Sequence, residues 1–260
     1  MKLIETKNRE KYAKWFESCE DACIISALSG SNGDVYTDDY DKPTVLFAVV
    51  SDYVFLTGNS DSINAEHAVK FIDSLFNDGF NIRCIEKGFE QVVKKILKDR
   101  VYEYSRFAME RTFEYMDFDL LEENVNSKKE EYAFALIDEE LFTYCKENDW
   151  AENFVVSYDT YEQWENGGLG VMILKDGDPV AGASSYSNFP GGIEIEIVTR
   201  SDYREKGLAT AAGSALILEC KKRNLVASWD AAHEKSMKLA MKLGYKLLYP
   251  YTIIGVNSQK

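Results

Sequence analysis

Apolar residues recur with two different periods along this chain. In some segments they fall on every second residue and in others on every third or fourth, and the two kinds alternate throughout. That alternation excludes a helical bundle or a sandwich and calls for a mixed α/β or α+β fold. A first helix is expected over residues 10–28. Apolar runs at 44–50 and 53–57 flank Ser51-Asp52 as a hairpin. Asp61 and Ser62 then cap a helix with the stripe Ala65, Ala68, Val69, Ile72, Leu75 and Phe76, ended by Gly79. A strand at 82–85, a helix at 89–97 and a strand at 101–109 complete a ββαβαβ unit. The polar stretch 121–131 marks the expected boundary, giving domains 1–125 and 126–260. The second half reads as a strand at 132–137, a helix at 138–148 capped by Asp138, and a hairpin of 170–174 with 180–186. It continues with a strand at 193–199, a helix at 208–222, a strand at 225–230, a helix at 234–243 and closing strands at 245–249 and 251–256. The halves alternate alike, although no sequence repeat is visible.

Charge and composition remove several classes of function. With 30 basic against 44 acidic side chains the net charge is −14, the wrong sign for a broad grip on nucleic acid or an anionic membrane. No apolar run approaches the roughly 18 residues that a bilayer span requires. The first residues turn charged at once, at Lys2, Glu5 and Lys7, so no secretory signal is expected and a cytoplasmic location is. The five cysteines, Cys19, Cys23, Cys84, Cys145 and Cys220, read as free buried thiols. Cys19 and Cys23 share i, i+4 spacing, but no second Cys or His pair completes a metal site, and the only histidines are His67 and His233. No metal is expected. The sequence contains no H-E-x-x-H, G-x-S-x-G or Walker motif.

Chemistry concentrates in one run: Ile193-Glu194-Ile195-Glu196-Ile197-Val198-Thr199, then Arg200-Ser201-Asp202-Tyr203, then Arg204-Glu205-Lys206-Gly207-Leu208-Ala209-Thr210. A strand, a short basic turn and a helix follow without a gap. Helix starts carry unpaired N–H groups and partial positive charge, and Gly207 with Ala209 lets a phosphate approach them. Arg200, Arg204 and Lys206 gather where the helix dipole alone would favour acids, so the pattern implies pyrophosphate binding. The same residues also suit a solvated surface turn.

The segment from Arg204 to Ala209 resembles the acyl-coenzyme A loop, [QR]-x-x-G-x-[GA], of the GNAT superfamily of N-acetyltransferases. The run from Trp229 through His233 and Ser236 to Leu243-Gly244-Tyr245 resembles the superfamily's second motif. The combination of Ile193-Glu194-Ile195, Tyr203-Arg204, Lys206 to Ala209 and Trp229-Asp230-Ala231 looks most like the zwittermicin A resistance-type branch. The resemblance covers about residues 128–260. It implies a GNAT acyl-CoA acyltransferase fold there, with a central mixed, splayed sheet flanked by helices, preceded by a smaller α/β domain without a readable motif.

The resemblance further implies an acetyl-CoA-dependent N-acetyltransferase working by direct attack in a ternary complex, with no metal. Arg204, Glu205, Lys206, Gly207, Leu208, Ala209 and Thr210 would hold the pyrophosphate, with His233 and Ser236 as further coenzyme contacts. The backbone of Ile197, Val198 and Thr199 would bind pantetheine and polarise the thioester. Glu196, or Glu194, would act as base, since both lie on the face opposite Ile193, Ile195 and Ile197. That alternation equally fits a strand with one solvated face. The residue at which many relatives carry a proton-donating Tyr is Ala240, and His233 replaces the second motif's Asn. His233 is therefore a candidate weak acid as well as an ordinary helix-start residue. Trp229 and Asp230 are candidates for lining the acceptor site. The acceptor is expected to be a small-molecule amine, and the net charge favours a cationic one. A non-catalytic acyl-CoA-binding or sensing module is the alternative, and monomer and homodimer both stay open.

Overall fold

The computed structural model describes residues 1–258, so positions 259 and 260 of the expected second domain lie outside it. The chain divides into two compact units, Met1–Arg106 with the chain from Pro250 onward, and Phe107–Tyr249. This corrects the boundary expected at 125/126. The polar stretch that suggested it is the solvated side of a helix, α4, whose Leu121 and Val125 are buried.

The first unit runs β1 (Lys2–Leu3), two 3-10 turns (Thr6–Asn8 and Glu10–Phe16), α1 (Ala22–Ser29), β2 (Asp34–Thr37), β3 (Val45–Val50), β4 (Tyr53–Gly58), α2 (Ile63–Ser74), β5 (Phe80–Cys84) and α3 (Phe89–Leu97). β6 (Val101–Met109) then leads into the second unit. The single helix expected over 10–28 is thus two pieces. Asp21 restarts the chain as the cap of α1, accepting from the Cys23 N–H at 3.0 Å, so Cys19 and Cys23 do not share one helix. β1 to β4 form an antiparallel meander, and α2 crosses over to place β5 parallel to β4. The far side of β5 is closed by a strand from the end of the chain, in the register Ile254↔Ile82. Phe47, Leu56, Ile72, Ile82, Phe89 and Ile254 sit in its core.

The second unit runs α4 (Phe118–Asn126), β7 (Ala133–Leu136), α5 (Glu139–Glu147), α6 (Tyr161–Gly167), β8 (Gly170–Lys175), β9 (Asp178–Phe189), β10 (Gly192–Thr199), α7 (Leu208–Lys222), β11 (Val226–Ser228), β12 (Asp230–Ala231) and α8 (Glu234–Lys242), before β13 (Leu247–Val256). Its sheet has the order β11-β10-β9-β8-β7, antiparallel except where α7 makes β11 parallel to β10. Strand–helix–meander–helix–parallel strand is the connectivity of the first unit over again. α4 runs antiparallel along α7: Lys221 Nζ lies 3.2 Å from the centroid of the Phe118 ring, and Asn124 Nδ2 donates to Ser214 Oγ at 3.2 Å. The strand expected over 225–230 breaks at Trp229, and its two halves join different partners. β11 stays with β10, whereas β12 pairs with β6 through Asp230↔Ala108 and Ala231↔Phe107.

Candidate active site

That break opens the sheet. Among the described residues the ladder from β10 to β11 ends at Glu194↔Ser228, whereas β10 stays paired to β9 as far as Thr199↔Ala181. Beyond Glu194 the other edge of β10 therefore offers its peptide groups to the gap. Ile193, Ile195 and Ile197 face the core that α7 covers, while Val198 packs on the opposite cluster around Phe142, Phe154 and Met172. Glu194 and Glu196 share the side of Val198, as the alternation predicts.

The two glutamates stand in different settings. Glu194 is 6% exposed and its Oε1 accepts the backbone N–H of Asp230 at 2.6 Å. Its carboxylate thus stitches the apex of the split, holding β12 where it leaves β11. Glu196 is half-buried one step further along the opened edge. At the end of the strand the Thr199 hydroxyl is a buried polar atom without a hydrogen-bond partner among the described residues.

The basic turn follows at once. Arg200 closes on Asp202 through two hydrogen bonds, at 2.8 and 3.1 Å, so much of its charge is spent locally, and that partnership raises its pKa. The Tyr203 ring carries the guanidinium of Arg200 on it at 4.7 Å and the ammonium of Lys206 at 4.3 Å. Arg204, Glu205, Lys206 and Gly207 are exposed, and Glu205 (φ 63°) and Gly207 (φ 77°) are left-handed. Gly207 is the N-cap of α7 and supplies no side chain, so no side chain caps the first N–H groups of the helix. A left-handed residue leading into a right-handed helix turns successive N–H groups into a shallow anion-binding concavity. Leu208 is buried in the core and can offer only its backbone, while Ala209 and Thr210 are half-buried.

The second motif surrounds the start of α8. His233 is the N-cap of α8, and its Nδ1 accepts the Ser236 N–H at 3.1 Å, which leaves the ring proton on Nε2. Ser236 Oγ accepts from Trp229 Nε1 at 3.2 Å. Trp229 is 4% exposed and packs edge-on against Tyr245 at 5.3 Å in the core of the unit. The Tyr245 hydroxyl, far above its ordinary pKa through burial, donates to the Ala227 carbonyl at 2.8 Å. Tyr251 lies beneath Arg83 in the first unit at 3.7 Å. Ala240 is fully buried. The thiols of Cys84, Cys145 and Cys220 are each pushed up to about 12 by burial, which makes them poor nucleophiles. Among the described residues no group of His, Cys, Asp or Glu is placed to hold a metal ion, and no helix is long and apolar enough to cross a membrane.

The sequence pattern of the GNAT acetyltransferase family matches residues 13–254. This chain belongs to the GNAT acetyltransferases. It has the GNAT fold and is an acyltransferase, and the match takes in the first unit as well as the second. A GCN5-related N-acetyltransferase-like protein from Streptococcus suis is 32% identical, with a TM-score of 0.87 over 97% of this chain and 99% of its own. An uncharacterized N-acetyltransferase of Bacillus subtilis, YdfB, is 24% identical over 97% of this chain and 98% of its own length. A tandem GNAT protein from the clavulanic acid biosynthesis pathway shares the fold at 12% identity and a TM-score of 0.56, covering 100% of this chain and 98% of its own. GNAT acetyltransferases use acetyl-CoA, and the uncapped mouth of α7, its exposed cations and the unpartnered Thr199 hydroxyl suit a phosphate-bearing thioester.

Proposed function

We propose that this GNAT enzyme transfers an acetyl group from acetyl-CoA to a primary amine of a small molecule by direct attack in a ternary complex. The observation that carries this reading is the continuous path from the opened edge of β10 to the uncapped mouth of α7. The mouth, with Arg204 and Lys206, binds diphosphate through backbone N–H groups and formal charge. The backbone of Ile197 to Thr199 orients the pantetheine arm and polarises the thioester carbonyl. A free alkylamine is protonated near pH 7 and must lose a proton to attack. Glu196 accepts that proton, directly or through water, because Glu194 is committed to the Asp230 N–H. A thiolate is a stable enough leaving group that no side chain is needed at Ala240, and His233 serves as the cap of α8.

The net charge of −14 favours a cationic acceptor, and the motifs around Tyr203-Arg204 and Trp229-Asp230 favour the zwittermicin A resistance-type branch, hence an amino-bearing antibiotic met in the cytoplasm. A non-catalytic acyl-CoA-binding module is the second reading, favoured by the buried Ala240 and the capping role of His233. Thiol release from acetyl-CoA, followed across a panel of polyamines, amino sugars and amino-acid amides, separates the two. The enzyme reading expects amine-dependent release with at least one class. Coenzyme binding with no release from any of them supports the sensing module.

A further inference from the structure

We propose that Lys128, from the turn after α4, is a phosphate-binding residue of this site; the inference rests on the coenzyme reading of the α7 mouth. Lys128 lies outside the loop motif, in a run that reads by sequence as a boundary between domains. Three contacts show how the fold delivers it. α4 descends along α7 from Phe118 beside Lys221, through Asn124 beside Ser214, to Lys128 beside Gly207. A Cβ built on Gly207 would stand 3.5 Å from Lys128 Cε and 3.6 Å from its Nζ, so the ammonium stands directly against the start of the helix. The turn is held by Lys128 N–H to Val125 O at 3.1 Å and Tyr132 N–H to Lys128 O at 3.0 Å.

The setting is electrostatically odd without a ligand. Lys128 is half-buried, whereas its neighbour Lys129 is exposed, and among the described residues its ammonium has no hydrogen bond or ion pair. It sits against the positive end of α7, in company with Arg204 and Lys206, where a cation is disfavoured and an anion favoured. A side chain with four rotatable bonds gains nothing by staying there unless a negative group arrives between it and the helix. A phosphate oxyanion of the coenzyme, from the diphosphate, meets that requirement. Gly207 suits this turn because any other residue there would strain its left-handed backbone.

The test is calorimetry of coenzyme A binding to the full chain as wild type, Lys128→Met and Lys128→Arg. Met keeps the apolar stem and removes the charge. The expected result is about tenfold weaker binding for Lys128→Met, with a shallower dependence on salt, and recovery to near wild type in Lys128→Arg. The melting temperature of ligand-free Lys128→Met should be no lower than wild type, because a disfavoured charge has been removed. Repetition with 3′-dephospho-coenzyme A distinguishes the source of the phosphate: a retained tenfold penalty assigns the contact to the diphosphate, a vanished one to the 3′-phosphate. Lys128→Met binding within twofold of wild type overturns the inference while leaving the coenzyme site intact. A wild-type chain that binds no coenzyme A overturns the coenzyme reading itself, and this inference with it.

Discussion

Among single residues, Glu194 and Glu196 are two apart on one strand face, yet the fold gives them unlike work. The first spends an oxygen on the Asp230 N–H at 2.6 Å, and the second stands beside the edge that the split exposes. Glu196→Gln is therefore expected to slow the chemical step by roughly 10²-fold with coenzyme affinity unchanged, measured as single-turnover acetyl transfer beside calorimetric binding. An unchanged rate constant would remove Glu196 as base. Loss of structure in that variant would mean that Glu196, like Glu194, serves the sheet. Sequence spacing identifies both carboxylates and position along the strand favours Glu196 as the one nearer the thioester, but neither reveals the hydrogen bond of Glu194 to Asp230. The partner of Glu194 is a backbone group 36 positions away, brought near only when the strand after α7 breaks at Trp229.

Two helices occupy equivalent places in the repeated connectivity, and their mouths have opposite character. α7 begins at a bare glycine that follows the exposed Arg204 and Lys206 and has Lys128 beside it. α2 begins at Ser62, whose hydroxyl accepts the Asn64 N–H at 3.2 Å, and Asp38 closes over the same turn by accepting from Asn64 Nδ2 at 2.7 Å. That arrangement occupies the mouth of α2 with side chains, so one coenzyme is expected per chain, at the mouth of α7. Asp38 also ties β2 to β3. Partial burial disfavours its charge, but hydrogen bonds from Thr44, Val45 and Asn64 outweigh that and bring the carboxyl down to about 2. A lowered carboxylate contributes stability above its unfolded value of 3.8 and loses it as the pH falls toward about 2. Asp38→Asn should thus melt lower than wild type at pH 7 and show a flatter decline between those two pH values, read from thermal unfolding across that range. Most elements were legible from periodicity and caps: Asp138 caps α5, the strands of both hairpins stand where alternation puts them, and α7 spans the expected residues. One element that misled was α4. Its solvated side is so polar that its two buried residues, Leu121 and Val125, were too few to declare a helix, and Lys128 was hidden with it.

For the molecule as a whole, the decisive feature is which strand completes which sheet. The first unit takes its last strand from β13, while the second takes Phe107 and Ala108 of β6 as the partner of β12. A cut at 125/126 would strip the first unit of Ile254 and Val256, both in its core, and the second unit of Met109, Met116 and Leu121. Neither the 1–125 nor the 126–260 fragment is expected to melt cooperatively, whereas the full chain should; circular dichroism on heating checks this. A 1–125 fragment with a sharp transition would refute it. Repeated connectivity ordinarily suggests modules that evolution can lend out singly. Here the first unit closes with a strand from the far end of the chain, so a recombination event inside the gene, or a protease nick between the halves, would part that strand from its sheet. On the ribosome β5 would wait with a bare edge until residues 250–256 emerged, the interval in which a nascent chain of this design has most need of a chaperone.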